Sequence, residues 1–227
     1  MKVGILFDLD GTLLNTLEDL YNATNHILKM FGCPTRTRDE VRTFVGNGAT
    51  MQMKRSLPGT PNDPDIDAVM TAYHAHYNTV CVAGTAAPYE GVMQVLEDLK
   101  NRYPIAVVSN KPDPAVQGLC EKYFPGVYAL GVSDDCPRKP APDMVRKALK
   151  ALNVDTCVYV GDSEVDLATA KNAGVPCLTV LWGFRDKDLL ESEGAKYFCA
   201  NPADMPALIE EIIQKESLPL GEGGKNL

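Results

Sequence analysis

The stretch Lys2-Val3-Gly4-Ile5-Leu6-Phe7-Asp8-Leu9-Asp10-Gly11-Thr12-Leu13 decides how the chain is read. Its first half is a continuous apolar run, the pattern of a strand buried on both faces of a parallel sheet. The run then stops at two aspartates. A buried strand that delivers carboxylates to its C-terminal edge is costly unless those charges meet a cation or a proton. The i, i+2 spacing aims Asp8 and Asp10 the same way while the strand persists. Gly11 then lets the chain turn sharply. This arrangement suits a cation site with one carboxylate free to attack.

Three later segments repeat the geometry. Pro104-Ile105-Ala106-Val107-Val108 ends at Ser109-Asn110-Lys111, and Cys157-Val158-Tyr159-Val160 ends at Gly161-Asp162-Ser163, with Asp166 following. Between them, Arg138-Lys139-Pro140-Ala141-Pro142-Asp143 opens a helix. Ligands of open parallel α/β sheets bind outside the carboxyl ends of the strands. Here three strand ends carry Asp, Ser and Asp, a convergence that structural need alone does not supply.

These four segments, Asp8 to Leu13, Ser109-Asn110, Lys139-Pro140 and Gly161-Asp162-Ser163-Glu164-Val165-Asp166, resemble the four motifs of the haloacid dehalogenase superfamily in order and spacing. Phe44-Val45-Gly46-Asn47-Gly48-Ala49 and Pro88-Tyr89-Glu90-Gly91-Val92 are similar to the phosphoglycolate phosphatase group within it. The resemblance implies an α/β fold, a Rossmann-like doubly wound parallel sheet with an inserted all-helical cap domain. It implies a Mg2+-dependent phosphatase acting on a small phosphorylated metabolite, 2-phosphoglycolate first among them. Asp8 would be the nucleophile that forms an aspartyl-phosphate, and Asp10 the general acid and base. Asp8, the main-chain carbonyl of Asp10 and Asp162 would hold Mg2+, an oxygen-only set that suits this ion. Asp166 would orient its neighbours. Ser109, Asn110, Gly11 and Thr12 would bind phosphate, and Lys139 would neutralise its charge and restrain Asp8. One departure stands out: where the family carries an acidic residue after Leu14, this chain has Asn15. Both types can cap a helix.

Lone residues of these types have plainer uses. A strand-end serine is more often a turn residue, and Asp162 or Ser163 could simply cap a helix. Lys111 and Arg138 read as surface charge, as do Lys54 and Arg55. His26, His74 and His76 read as structural. The turn Gly46-Asn47-Gly48 opens a helix whose free N–H groups could meet a substrate carboxylate, or it is only a break between two helices.

The chain has 227 residues, of which 45% are hydrophobic. That is enough for one sizeable core and a small second domain. A formal net charge of -8 argues against general binding to nucleic acid or to an acidic membrane surface. No apolar run reaches the roughly 20 residues of a membrane span. The 7 cysteines have no paired spacing, which points to free thiols in a reducing cytoplasm. Nothing in the sequence fixes an oligomeric state.

Residues 16–83 read as helical throughout, from the run Leu17, Leu20, Tyr21, Thr24, Ile27, Leu28 and Phe31 onward. Residues 84–227 alternate strand and helix, which implies a parallel sheet covered on both faces. The domains expected are therefore a core of 1–15 with 84–227 and a cap of 16–83. A tail at 217–227 is expected to be disordered. The same residues could serve a phosphosugar mutase or a pyrophosphatase, and a non-catalytic binding or regulatory protein is the alternative of a different class.

Overall fold

A computed structural model describes residues 2–216, so the tail expected at 217–227 lies outside the described residues. Six strands build one sheet: β1 (Val3–Phe7), β4 (Ile105–Pro112), β5 (Tyr128–Val132), β6 (Thr156–Gly161), β7 (Cys177–Val180) and β8 (Tyr197–Cys199). Every pairing among them is parallel, in the order β5-β4-β1-β6-β7-β8. Numbered along the chain, these six strands run 3-2-1-4-5-6, the order of doubly wound dinucleotide-binding sheets. The chain winds outward from β1 in one direction and then, from β6, in the other. The crevice at that reversal lies at the carboxyl ends of β1, β4 and β6.

Both faces of the sheet are covered. On one face, α5 (Val92–Lys100), α6 (Asp113–Tyr123) and α10 (Met205–Lys215) pack against Ile5, Phe7, Val107 and Val158. On the other, α7 (Asp143–Leu152) and α8 (Glu164–Ala173) pack against Leu6, Ala106, Val108 and Tyr159. Alternate residues of each central strand thus feed two separate apolar layers, as strand periodicity demands.

The helical block consists of α1 (Leu17–Met30), α2 (Arg38–Phe44), α3 (Ala49–Ser56) and α4 (Ile66–Val80). It has its own core, including Leu20, Ile27, Val41, Met53, Tyr73 and Tyr77, and Ala115 and Phe184 reach into that core from the sheet side. Thr37 and Glu40 close a capping box on α2. At the start of α1, Asn15 Oδ1 accepts the Leu17 N–H at 3.4 Å. Thr16, the other cap candidate, makes no side-chain cap bond.

Three features go beyond the sequence reading. The chain leaves and re-enters the sheet layer through a small antiparallel ribbon, β2 (Leu14–Asn15) on β3 (Ala87–Pro88). Two-residue strands carry no legible period. Strand β8 closes the sheet edge where no strand is expected. Strand β4 continues past Ser109 to Pro112. No helix among the described residues is long and apolar enough to cross a membrane.

Candidate active site

The last strand bond of β1 is the Asp8 N–H donated to the Val160 carbonyl at 2.9 Å, which fixes Asp8 at the mouth of the crevice. Its Oδ1 accepts a bond from Lys139 Nζ at 2.7 Å. That ammonium also donates to Asp166 Oδ1 at 2.8 Å and to the Tyr159 hydroxyl at 3.0 Å. The Tyr159 hydroxyl in turn donates to Asp166 Oδ1 at 3.1 Å. The second oxygen of Asp166 accepts the N–H and the hydroxyl of Ser163, the N-cap of α8. Asp166 is therefore spent on holding Lys139, Tyr159 and the helix start in place.

Asp162 sits opposite, buried, with Oδ1 accepting from Thr12 Oγ1 at 3.0 Å and Oδ2 from the Phe184 N–H at 2.7 Å. Two glycines make room for it. A Cβ on Gly11 would lie 2.4 Å from the Asp162 carboxylate, and one on Gly183 would lie 2.3 Å from Asp162 Cβ. Gly11 also holds φ at +90°, which a side chain would strain.

Asp8, Asp162 and Asp166 offer carboxylate oxygens that all lie within 4.8 Å of one another. Lys139 neutralises one of three buried charges, so the ionised cluster is two charges negative. The strain shows in the proton affinities. Burial pushes the Asp8 carboxyl up to about 7, with Lys139 opposing and Asp166 adding to the rise. Burial, then the charges of Asp166 and Asp8, lift Asp162 well above the carboxylate range. Burial works against the Lys139 charge, but Asp166 and Asp8 outweigh it and raise its pKa. A divalent cation resolves this conflict, and hard oxygen donors are the set it needs. Asp166 already accepts four hydrogen bonds, one of them from the Lys139 ammonium, whereas Asp162 accepts two from neutral donors and Asp8 keeps one oxygen open, so Asp8 and Asp162 are the side chains fitted to hold it.

Asp10 is paired with Lys111, whose Nζ stands 2.8 and 2.9 Å from its two oxygens. Lys111 is only 5% exposed and its ammonium lies 5.0 Å from the centre of the Tyr77 ring on α4. It is not the surface charge expected from sequence. Ser109 lines the same cleft, and its Oγ accepts the Lys111 N–H at 3.3 Å. The Asn110 side chain is occupied: its amide donates to the carbonyls of Gly46 and Lys139, and its oxygen accepts the Lys139 N–H.

The cleft lies between sheet and helical block. Asp8, Asp10, Ser109, Asn110, Lys139 and Asp162 line it from below, and Gly46, Gly48, Gln52, Tyr73 and Tyr77 from above. Gly11, Thr12 and Asn47, expected to touch substrate, do not belong to its wall. Gly11 and Thr12 face Asp162, because the turn after β1 is tightened around that carboxylate. Asn47 meets the Arg138 guanidinium through its backbone carbonyl at 3.5 Å.

The family model for haloacid dehalogenase-like hydrolases matches residues 5–180. The chain belongs to this family. Among its relatives, a phosphoglycolate phosphatase of Rhodobacter capsulatus is 32% identical over 83% of this chain and 89% of its own length. Another, from Agrobacterium fabrum, is 31% identical over 92% of this chain and 94% of its own. A solved structure from Lactobacillus delbrueckii subsp. bulgaricus superposes with a TM-score of 0.83 at 32% identity, covering 92% of this chain and 99% of that one. The doubly wound sheet with its flanking helices is thus the fold of a haloacid dehalogenase-like hydrolase.

Three residues at this hydrolase's site carry no signal that was read in the sequence: Lys111 and Arg185 line the cleft, and Tyr159 lies buried beneath Lys139. Tyr159 is a hydroxyl-bearing residue inside a buried strand, and a buried tyrosine hydroxyl normally finds a partner. Lys111 lies where β4 shifts register against β5, between Val108 and Pro112, so strand alternation does not mark its direction. Arg185 lines the cleft, pairs with Glu164 at 2.7 Å, and donates to the Arg42 and Val45 carbonyls of the helical block. No local pattern marks it.

Proposed function

We propose that the protein is a Mg2+-dependent phosphatase that hydrolyses 2-phosphoglycolate through an aspartyl-phosphate on Asp8. The observation that carries this reading is the state of Asp8. Lys139 holds it by one oxygen only, and the other takes no hydrogen bond among the described residues. That oxygen is free to attack phosphorus. The ester oxygen departs with a proton from Asp10, and the same carboxylate then takes a proton from the water that cleaves the acyl-phosphate. Ser109 accepts a backbone N–H, which leaves its hydroxyl proton for a phosphate oxygen. Mg2+, held by Asp8, Asp162 and the Asp10 carbonyl, would supply positive charge to the phosphoryl oxygens.

Residues 16–83 act as a cap over a core of 1–15 and 84–227. The cleft lies between cap and core, so a cap that closes over bound substrate excludes water from it. The cysteines are free, which supports a cytoplasmic setting.

The test is release of inorganic phosphate from 2-phosphoglycolate with Mg2+, beside other phosphoesters and a sugar bisphosphate. Selective release is expected, with Asp8→Asn lowering kcat by at least about a thousandfold. Release of similar speed from many esters would overturn 2-phosphoglycolate as the substrate. Turnover of the bisphosphate without phosphate release would replace hydrolysis with mutase chemistry.

A further inference from the structure

Three cations line the cleft: Lys139, Arg185 and Lys111. Two are held by several partners each. Lys139 spends its three N–H groups on Asp8, Asp166 and Tyr159. Arg185 is shared between Glu164 and two backbone carbonyls of the helical block. Lys111 differs from both. Its side chain is 2% exposed, and both its bonds go to the two oxygens of Asp10. Those are the oxygens that must face the leaving oxygen of a phosphoester during hydrolysis. The ammonium thus occupies the acid and base group of the reaction.

A buried ammonium does not leave its carboxylate for nothing, because an unpaired charge in this setting is costly. It can exchange that carboxylate for another. Tyr77 supplies an aromatic face 5.0 Å away that favours the cation whichever carboxylate it holds.

We propose that Lys111 is the specificity-determining residue of the reaction: its ammonium passes from Asp10 to a carboxylate carried by the leaving group, so that esters with such a group free Asp10 and neutral esters do not. The proposal rests on the phosphatase reading and adds the residue that selects its substrate. The geometry limits the class. Nζ is within 3 Å of both Asp10 oxygens, so the carboxylate must stand one or two carbons from the leaving oxygen. Phosphate esters of short 2-hydroxy acids meet that condition. Longer sugar phosphates and simple alkyl phosphates do not.

The experiment compares 2-phosphoglycolate with 2-hydroxyethyl phosphate, its neutral counterpart, on wild type, Lys111→Met and Lys111→Arg. In wild type the ratio of kcat/KM should favour the carboxylated ester by roughly a hundredfold, the scale of one charge-assisted contact. Lys111→Met should cut that ratio at least tenfold, mainly through KM for 2-phosphoglycolate, and Lys111→Arg should restore part of it. Equal losses on both esters in Lys111→Met would overturn the proposal and leave Lys111 as a support for Asp10. If that variant does not fold, the wild-type ratio still decides, since no preference overturns the proposal outright. Calorimetric binding of the two esters to Asp8→Asn, with and without Lys111→Met, separates the same outcomes without turnover. A protein that hydrolyses neither ester yet binds the carboxylated one through Lys111 would sink the phosphatase reading and, with it, the release of Asp10, leaving Lys111 as a carboxylate-binding residue only.

Discussion

Asp162 is placed by what is missing around it. Gly11 and Gly183 each leave a gap where a Cβ would run into the carboxylate, and Thr12 and Phe184 orient its two oxygens. Gly183→Ala should therefore displace Asp162 and weaken Mg2+ activation by about tenfold or more, as loss of an orienting contact at a metal site does. Titrating activity with Mg2+ checks this, and an unchanged half-saturation would refute it. The proton affinities give a second test. Without metal, Asp8 is raised from 3.8 to about 7, and Asp162 is raised as well. Between those values the folded chain binds protons that the unfolded chain has lost, so stability falls as pH rises through the window. In chelator, the thermal midpoint should drop from about pH 5 to about pH 7.5, and Mg2+ should raise it more at the higher pH. A flat profile in chelator would count against the crowded carboxylates. Asp8, Asp10 and Asp162 were legible because charge at the end of an apolar run has few uses. Lys111 was not, because a single lysine after a polar pair reads as a solvated side chain until the strand is seen to continue.

At the scale of elements, one side chain makes three bonds across the crossing between sheet and helices. Asp19, in the first turn of α1, accepts the Thr85 N–H at 2.8 Å, the Thr85 hydroxyl at 2.7 Å and the Ala86 N–H at 2.9 Å. It ties the outgoing helix to the returning strand beside the β2–β3 ribbon. Gly84 belongs to the same device, since a Cβ there would lie 2.4 Å from Asp19 Oδ2. Asp19→Ala strands two backbone donors and should cost about 1–3 kcal/mol. In a chain of this size that is a fall of roughly 3–10 °C in Tm. Scanning calorimetry measures it, and a shift below about 1 °C would show the latch to be replaceable by water. The helices themselves were legible from apolar spacing, and so were the central strands from their β-branched runs. The ribbon and β8 escaped because elements of two or three residues take their conformation from partners far along the chain. Asp19 escaped for a related reason: in sequence it is one more acidic residue in a first turn, a common place for one.

For the molecule as a whole, the layered sheet and the helical block, each with its own apolar packing, meet across one cleft, and polar contacts span it. Arg185 is the main one. Held by Glu164 on α8, its guanidinium reaches the Arg42 and Val45 carbonyls at 3.1 and 2.6 Å, at the carboxyl end of α2, where the helix dipole favours a cation. Asn110 adds a bond to the Gly46 carbonyl. That α1 to α4 are helical could be read from the lack of strand signals between them. That the layer is fastened by Arg185 could not, because the bond joins residues 140 and 143 positions apart. If these contacts hold the cap down, Arg185→Met removes charge-assisted bonds made only when it is closed. Such bonds are worth about 1.5–3 kcal/mol each. The closed population falls for every substrate alike, so KM should rise by about tenfold or more for carboxylated and neutral esters together. That is the opposite of the selective loss expected for Lys111→Met, and the pair of variants separates closure from recognition. Hydrogen exchange at Tyr73 and Tyr77, which roof the cleft, should quicken in Arg185→Met. If exchange there stays at the wild-type rate while KM rises, Arg185 contacts the substrate and does not act through the cap.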